Sequence, residues 1–173
     1  MDLANKYVIP TYDFVSNDHV INEVSVNDKV GRLQARDQID EFQNSLQSHV
    51  GSDTGIMDQV NDNGLNEWFV GGTYIRRLFI PAGIAIVSRI WKKPRFWIIS
   101  EGDVTFKTEM GVQRVQAHYT KVVEPGSKVA LFTHSDTLWY AITGAQSTNT
   151  EDVYNEVMAD DYEQCDYPWG DEL

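Results

Sequence analysis

Two periods of hydrophobic and polar residues divide this chain. Between about residues 28 and 50 the period is helical. Val30, Leu33, Ile39, Phe42 and Leu46 recur at steps of three, four or their sums, while Arg32, Arg36, Asp40, Gln43 and Gln47 take the other face. Asn27 or Asp28 is placed to cap this helix and Gly51 to end it. Ahead of it lie extended pieces at residues 6–10 and 20–24, and Pro10 argues against a long helix there. From residue 51 to 64 the chain turns to Gly, Asp, Asn and Ser, which is loop chemistry.

Beyond that loop the period shortens to two. Residues 73–80, 84–91, 95–100, 104–108, 128–133 and 137–142 read as strands, and 112–123 holds up to two more. Turn residues separate them: Pro81-Ala82-Gly83, Pro94, Glu101-Gly102-Asp103, Met110-Gly111, Pro125-Gly126 and His134-Ser135-Asp136. Seven or eight short strands at regular spacing, with no helical runs between them, predict a mainly β sandwich or small barrel and exclude a parallel α/β sheet. At the end of the chain, Thr148-Asn149-Thr150-Glu151 has capping-box spacing, and Val153, Tyr154, Val157, Met158 and Asp161 follow a helical step. The organisation expected is an extension over 1–64, a β-barrel over 65–144, and an acidic helix and tail over 145–173.

Composition adds limits. The 173 residues suit one well-cored domain. No apolar run reaches the length of a membrane span, and residues 1–6 lack the basic head and apolar stretch of a secretion signal, so synthesis in the cytosol is expected. The single cysteine, Cys165, excludes an internal disulfide framework. The net charge of -12 argues against direct nucleic-acid binding. That charge is unevenly spread. Residues 76–128 carry ten basic and four acidic side chains, whereas no Lys or Arg follows Lys128 and ten acids do. The acidic flanks either neutralise the cationic body or contact a basic partner. The tail interleaves acids with aromatics. Tyr154, Asp160, Asp161, Tyr162, Tyr167 and Trp169 are its candidate partner-binding residues.

The run Tyr74-Ile75-Arg76-Arg77-Leu78-Phe79-Ile80-Pro81-Ala82-Gly83 resembles the first strand of a cupin-like (jelly-roll) family common among tailed bacteriophages, whose pattern is aromatic-x-Arg-x followed by two hydrophobics and Ile-Pro-Ala-Gly. Ile98-Ile99-Ser100-Glu101-Gly102 matches its Ile-Ile-Ser-x-Gly element. Glu124-Pro125-Gly126-Ser127-Lys128 is similar to the Pro-Gly turn of the second cupin motif, and His134-Ser135-Asp136-Thr137-Leu138-Trp139 to the closing strand pair. The resemblance covers about residues 68–143. It implies a single cupin-type barrel. It also marks a departure: where metal-binding members carry two histidines, this chain has Trp91 and Arg95. Indole offers no free lone pair and guanidinium stays protonated, so neither ligates a transition metal. No bound metal and no cofactor is therefore expected. His134 matches a family histidine, and a turn residue bonded to backbone is the expected role for it.

No other catalytic template is present: there is no nucleophile elbow, P-loop, dinucleotide fingerprint or His-Glu-x-x-His. In the family orientation Tyr74, Arg76, Trp91, Arg95, Trp97, His134 and Trp139 are the candidate pocket. Such an Arg–aromatic cluster suits a carboxylate, phosphate or flat ring, but bulky side chains also fill small barrels, and a solid interior is the first expectation. Taken together, the sequence points to a non-enzymatic phage-type structural or interaction protein. That role is a virion accessory, capsid-surface or head–tail component made in the host cytoplasm, with itself or other virion proteins as partners and no membrane. An acidic inhibitor of a basic site on a host protein is the alternative, and a cupin enzyme or small-ligand sensor the second.

Overall fold

The computed structural model describes residues 24–26, 28–48 and 64–165. Its strands are β1 (Val24–Ser25), β2 (Leu65–Val70), β3 (Thr73–Ile80), β4 (Ala85–Val87), β5 (Ile90–Trp91), β6 (Arg95–Glu101), β7 (Asp103–Thr108), β8 (Gly111–Gln116), β9 (Tyr119–Val123), β10 (Ala130–Thr133), β11 (Thr137–Gly144) and β12 (Met158–Ala159). Helix α1 (Lys29–Ser48) precedes β2, and α2 (Thr150–Val157) follows β11.

The strand order identifies the fold. One sheet runs β2-β3-β11-β6-β9 and the other β1-β8-β7-β10-β4. If β3, β4 and β6 to β11 are counted as the first to eighth barrel strands, the first sheet contains them in the order one, eight, three, six. The second contains them as five, four, seven, two. All neighbours are antiparallel. These are the two interlocked Greek keys of a jelly roll. The mainly β barrel with an N-terminal helix and a short C-terminal helix is therefore the observed architecture.

Strict alternation puts one side of each barrel strand inside. On β3, Tyr74, Arg76, Leu78 and Ile80 are buried; on β6, Arg95, Trp97 and Ile99; on β11, Thr137, Trp139, Ala141 and Thr143. They meet Ile86, Val104, Phe106, Val129 and Leu131 from the facing sheet. Removing one such aliphatic side chain from water stabilises the fold by about 1.5–3 kcal/mol.

Helix α1 closes the outer face of the second sheet. Ile39 and Phe42 pack on Ala130 with Leu46, Ala85 and Val87 around them, and Lys128 pairs with Asp40. Asp28 caps the helix, its Oδ1 accepting from the Gly31 N–H at 2.8 Å; Asn27 and Gly51 lie outside the described residues. The helical face expected from the sequence needs correction at its start. Val30 and Leu33 are exposed, because the helix meets the sheet only from Ala35 onward. Arg36, placed on the polar face by spacing, is buried with its guanidinium 4.3 Å from the Tyr162 ring centre.

Three further expectations shift. The run 84–91 is two strands, since β4 pairs with β10 whereas β5 turns away to pair with β12. β2, unpredicted, adds an edge strand beside β3. The C-terminal helix stops at Val157. Asn149 is its cap, its Oδ1 accepting from the Asp152 N–H at 3.0 Å, and Met158 and Ala159 leave it to join β5. Val153, Val157 and Met158 share the barrel's main core, so residues 145–158 are packed onto the body.

Candidate functional site

A cavity of about 450 Å³ opens among the inward-facing residues of β3, β6 and β11. The barrel is thus not solid at this end, contrary to the first expectation from the sequence. The indoles leave space because two of them stand edge to face. The Trp97 and Trp139 ring centres are 4.8 Å apart with planes 87° apart, and Trp97 also meets Phe106 edge-on at 5.5 Å. Edge-to-face contact is one of the arrangements that aromatic pairs prefer.

Arg95 sits at the depth of this wall, only 2% exposed. Its guanidinium carbon lies 4.9 Å from the Trp91 ring centre and 5.1 Å from that of Trp97. Nη1 donates to Ser127 Oγ at 2.8 Å, and Nη2 has no acceptor among the described residues. Burial pushes the Arg95 pKa down to about 9, and the charge of Glu109 works against that fall. The group therefore stays a cation at neutral pH. Glu109 is itself buried, and its pKa is raised by that burial, with Arg36, Arg95 and Arg32 opposing.

The lining is cationic and aromatic. Arg76, Arg89 and Lys128 join Arg95 on the wall, and Asp160 is the one carboxylate among the lining residues. Asp160 lies 3.8 Å from Arg89, and both are largely exposed at the mouth. Tyr154 closes one side from α2, its ring centre 5.5 Å from the Arg76 guanidinium carbon. Its hydroxyl donates to Glu67 Oε1 at 2.8 Å. Glu67 also accepts from the Tyr74 hydroxyl and from Thr150 Oγ1, so one carboxylate on β2 ties α2 to the barrel. Burial is the main cause that raises the pKa of both tyrosines.

Of the sequence's seven pocket candidates, Arg76, Trp91, Arg95, Trp97 and Trp139 line the cavity. Tyr74 lies behind it, fully buried and stacked on Phe69 at 5.4 Å and Trp91 at 6.4 Å. His134 is elsewhere. Its backbone N–H donates to the Asp103 carbonyl oxygen at 2.8 Å, as expected of a turn residue, while its Nε2 is 2.8 Å from Thr105 Oγ1 and its ring meets Phe132 edge-on. Burial first, then Arg114, lowers its pKa, while Asp103 opposes. In the tail, Tyr154 and Asp160 belong to the cavity, Asp161 accepts from the Gln164 N–H, and Tyr162 lies beneath Arg36. Tyr167 and Trp169 lie outside the described residues. Among the described residues, no group of three or more His, Cys, Asp or Glu side chains converges as a metal site would. No helix among them is long and apolar enough to cross a membrane.

Sequence reasoning missed Glu67, Lys128 and the part Ser127 plays. Lys128 and Ser127 had a signal, since both follow directly on the Pro125-Gly126 turn that the sequence makes conspicuous. Glu67 had none, because β2 was not recognised as a strand.

No family model matches the chain, and no curated protein does. Solved structures similar to it include the cupin domain of Schizosaccharomyces pombe Cnp3 (14% identity, 53% of this chain and 69% of that one, TM-score 0.40). A cupin 2 conserved barrel domain protein from Salinispora arenicola matches at 13% identity over 45% of this chain and 71% of its own, TM-score 0.40. KdgF from a Halomonas species matches at 10% identity over 53% and 86%, TM-score 0.42. Likeness at this level carries no argument of its own, and the strand order alone makes the assignment: the chain folds as a jelly-roll barrel.

Proposed function

We propose that this chain is a non-enzymatic assembly protein of tailed-phage type, a virion accessory component that associates with itself through the open face of its first sheet. The observation that carries this reading is the composition of that face. The register aligns Trp68, Ile75, Ile142, Phe96 and Val122 in one row across all five strands. The neighbouring rows add Ile98, Tyr140, Phe79 and Leu138, with Arg77 and the exposed Glu101 as the charges among them. Trp68 is 41%, Phe96 40% and Val122 61% exposed, which is far from the usual polar outer side of a half-buried sheet. The other sheet's outer face is covered by α1; no described element covers this one.

A second copy is the occupant that fits. Five strands about 4.8 Å apart and an eight-residue strand rising about 3.4 Å per residue give a face on the order of 450 Å² in plane. Two such faces approach the roughly 1,000 Å² in total that a specific interface needs. A twisted apolar sheet is matched best by another packed aligned on it. The phage setting rests on the sequence resemblance, and the indole of Trp91 and the cation of Arg95 at the family's two histidine positions support a barrel that does no metal chemistry.

Light scattering on the eluting protein tests the association. A dimer is expected for the unaltered chain, and a monomer for Phe96→Asp combined with Val122→Asp. A monomer at every concentration for the unaltered chain contradicts the reading. Mass spectrometry of purified particles tests the setting, and absence of the chain from them removes the virion role.

A further inference from the structure

Apart from any assembly role, we infer that the cavity is a binding site for a small planar organic anion, an aryl carboxylate or aryl phosphate, held by Arg95 and the indole N–H groups of Trp97 and Trp139. The volume of about 450 Å³ lies within the range of small-molecule sites. Three observations define the ligand's chemistry.

The first is the sign of the unmet hydrogen bonds. Arg95 Nη2, Trp97 Nε1 and Trp139 Nε1 are buried and have no acceptor among the described residues. All three are groups that only donate. A buried donor left unmet costs on the order of the full desolvation penalty of the group, so three on residues that line one cavity call for an acceptor-rich occupant. The second is charge. Asp160 at the mouth faces Arg89, and Lys128 is held by Asp40; the buried Glu109 acts on the charge of Arg95 from farther away, but no carboxylate of the described residues lies within ion-pair distance of it. The anion completes that cation. The third is shape. Trp91 and Trp97 lie against the guanidinium, and the Trp139 and Tyr154 rings border the same space. Flat aromatic walls around a charge favour a planar body attached to the anionic group over a bare ion.

A structural reading of Arg95, as a cation that only plugs the gap between two indoles, makes a different prediction: no anion would respond to its removal. Calorimetry and tryptophan fluorescence on the full chain separate the two. The probes are phenyl phosphate, 4-hydroxybenzoate, inorganic phosphate, and benzyl alcohol as the uncharged control. Phenyl phosphate or 4-hydroxybenzoate is expected to bind one per chain and to change the tryptophan emission. Inorganic phosphate and benzyl alcohol are each expected to bind at least tenfold more weakly. Arg95→Met is expected to weaken the aryl anion at least thirtyfold. Trp139→Phe, which keeps a ring and removes only the N–H, is expected to weaken it several-fold with the fold unchanged. That milder variant decides the matter if Arg95→Met does not fold. Absence of binding by both aryl anions at millimolar concentration overturns the inference. So does equal binding of benzyl alcohol, equal binding of inorganic phosphate, or unaltered affinity in Trp139→Phe. Oligomeric state measured on the same samples keeps this outcome separate from that of the assembly proposal.

Discussion

At the residue scale, glycine and a few charges set what the barrel tolerates. Gly102 holds φ +106° between β6 and β7, and a Cβ there would lie 2.4 Å from Thr137 Oγ1 and 2.7 Å from the Asp136 carbonyl oxygen. Both the backbone region and the close approach of β11 require glycine. Gly102→Ala is expected to lower stability by about 2 kcal/mol or more in thermal or denaturant unfolding, whereas the same change at Gly144, with no atom nearer than 4.0 Å, is expected to cost far less. His134 sets the pH response near neutrality. Its pKa in the folded chain lies below the ordinary 6.5, so the unfolded chain takes up the proton first. Stability is then intact above about pH 6.5 and falls as the pH drops below it. His134→Gln is expected to flatten that part of the denaturation-midpoint profile. The sequence offered notice of Arg95, Trp97 and Trp139 through a resemblance to a known motif and through simple alternation. It gave none of Arg36, whose helical position reads as solvent-facing until Tyr162 returns from the far end of the chain to lie under it.

At the scale of elements, legibility follows the range of the contacts. β3, β6, β7 and β11 were readable because alternation and turn chemistry are local. The split of residues 84–91 was not, because β5 leaves the barrel to meet β12, some seventy residues later in the chain, and no local period records that choice. β2 was hidden by its own composition: Glu67 faces inward among hydroxyl groups, while Trp68 and Val70 face out, the reverse of an ordinary amphipathic strand. Helix α1 depends on its middle. Ile39 is fully buried against the second sheet, and Ile39→Ala is expected to cost about 2–5 kcal/mol, whereas Leu33→Ala is expected to stay within about 1 kcal/mol. Near α2, Glu156 accepts from Lys93, from the Ser147 hydroxyl and from the Gln146 and Ser147 N–H groups, and these bonds hold its pKa down to about 2. Its contribution is present above the ordinary carboxylate range and is lost as the pH falls toward 2. Glu156→Gln is expected to remove the acid-side loss that Glu156 causes, leaving the segment before α2 less stable at pH 7 by hydrogen exchange.

At the scale of the whole molecule, the two sheets have different fates. One is capped by α1 on its outside and lined by apolar side chains within. The other turns a cavity of cations and indoles inward and an apolar row outward. The net charge of -12 is concentrated in the segments that flank this cationic barrel in sequence, and Lys128 with Asp40 and Arg89 with Asp160 are ion pairs that join flank to body. The jelly roll was legible from the count and spacing of strands; the open outer face was not, since Phe96 and Val122 look like core residues until the register places them outside. Hydroxyl-radical footprinting across a concentration series tests the assembly claim most directly, with Leu33, 41% exposed on α1, as the internal reference for Trp68 and Phe96. Labelling of Trp68, Phe96 and Val122 is expected to fall together as concentration rises while Leu33 stays constant. Labelling of all four that is independent of concentration would contradict the assembly claim.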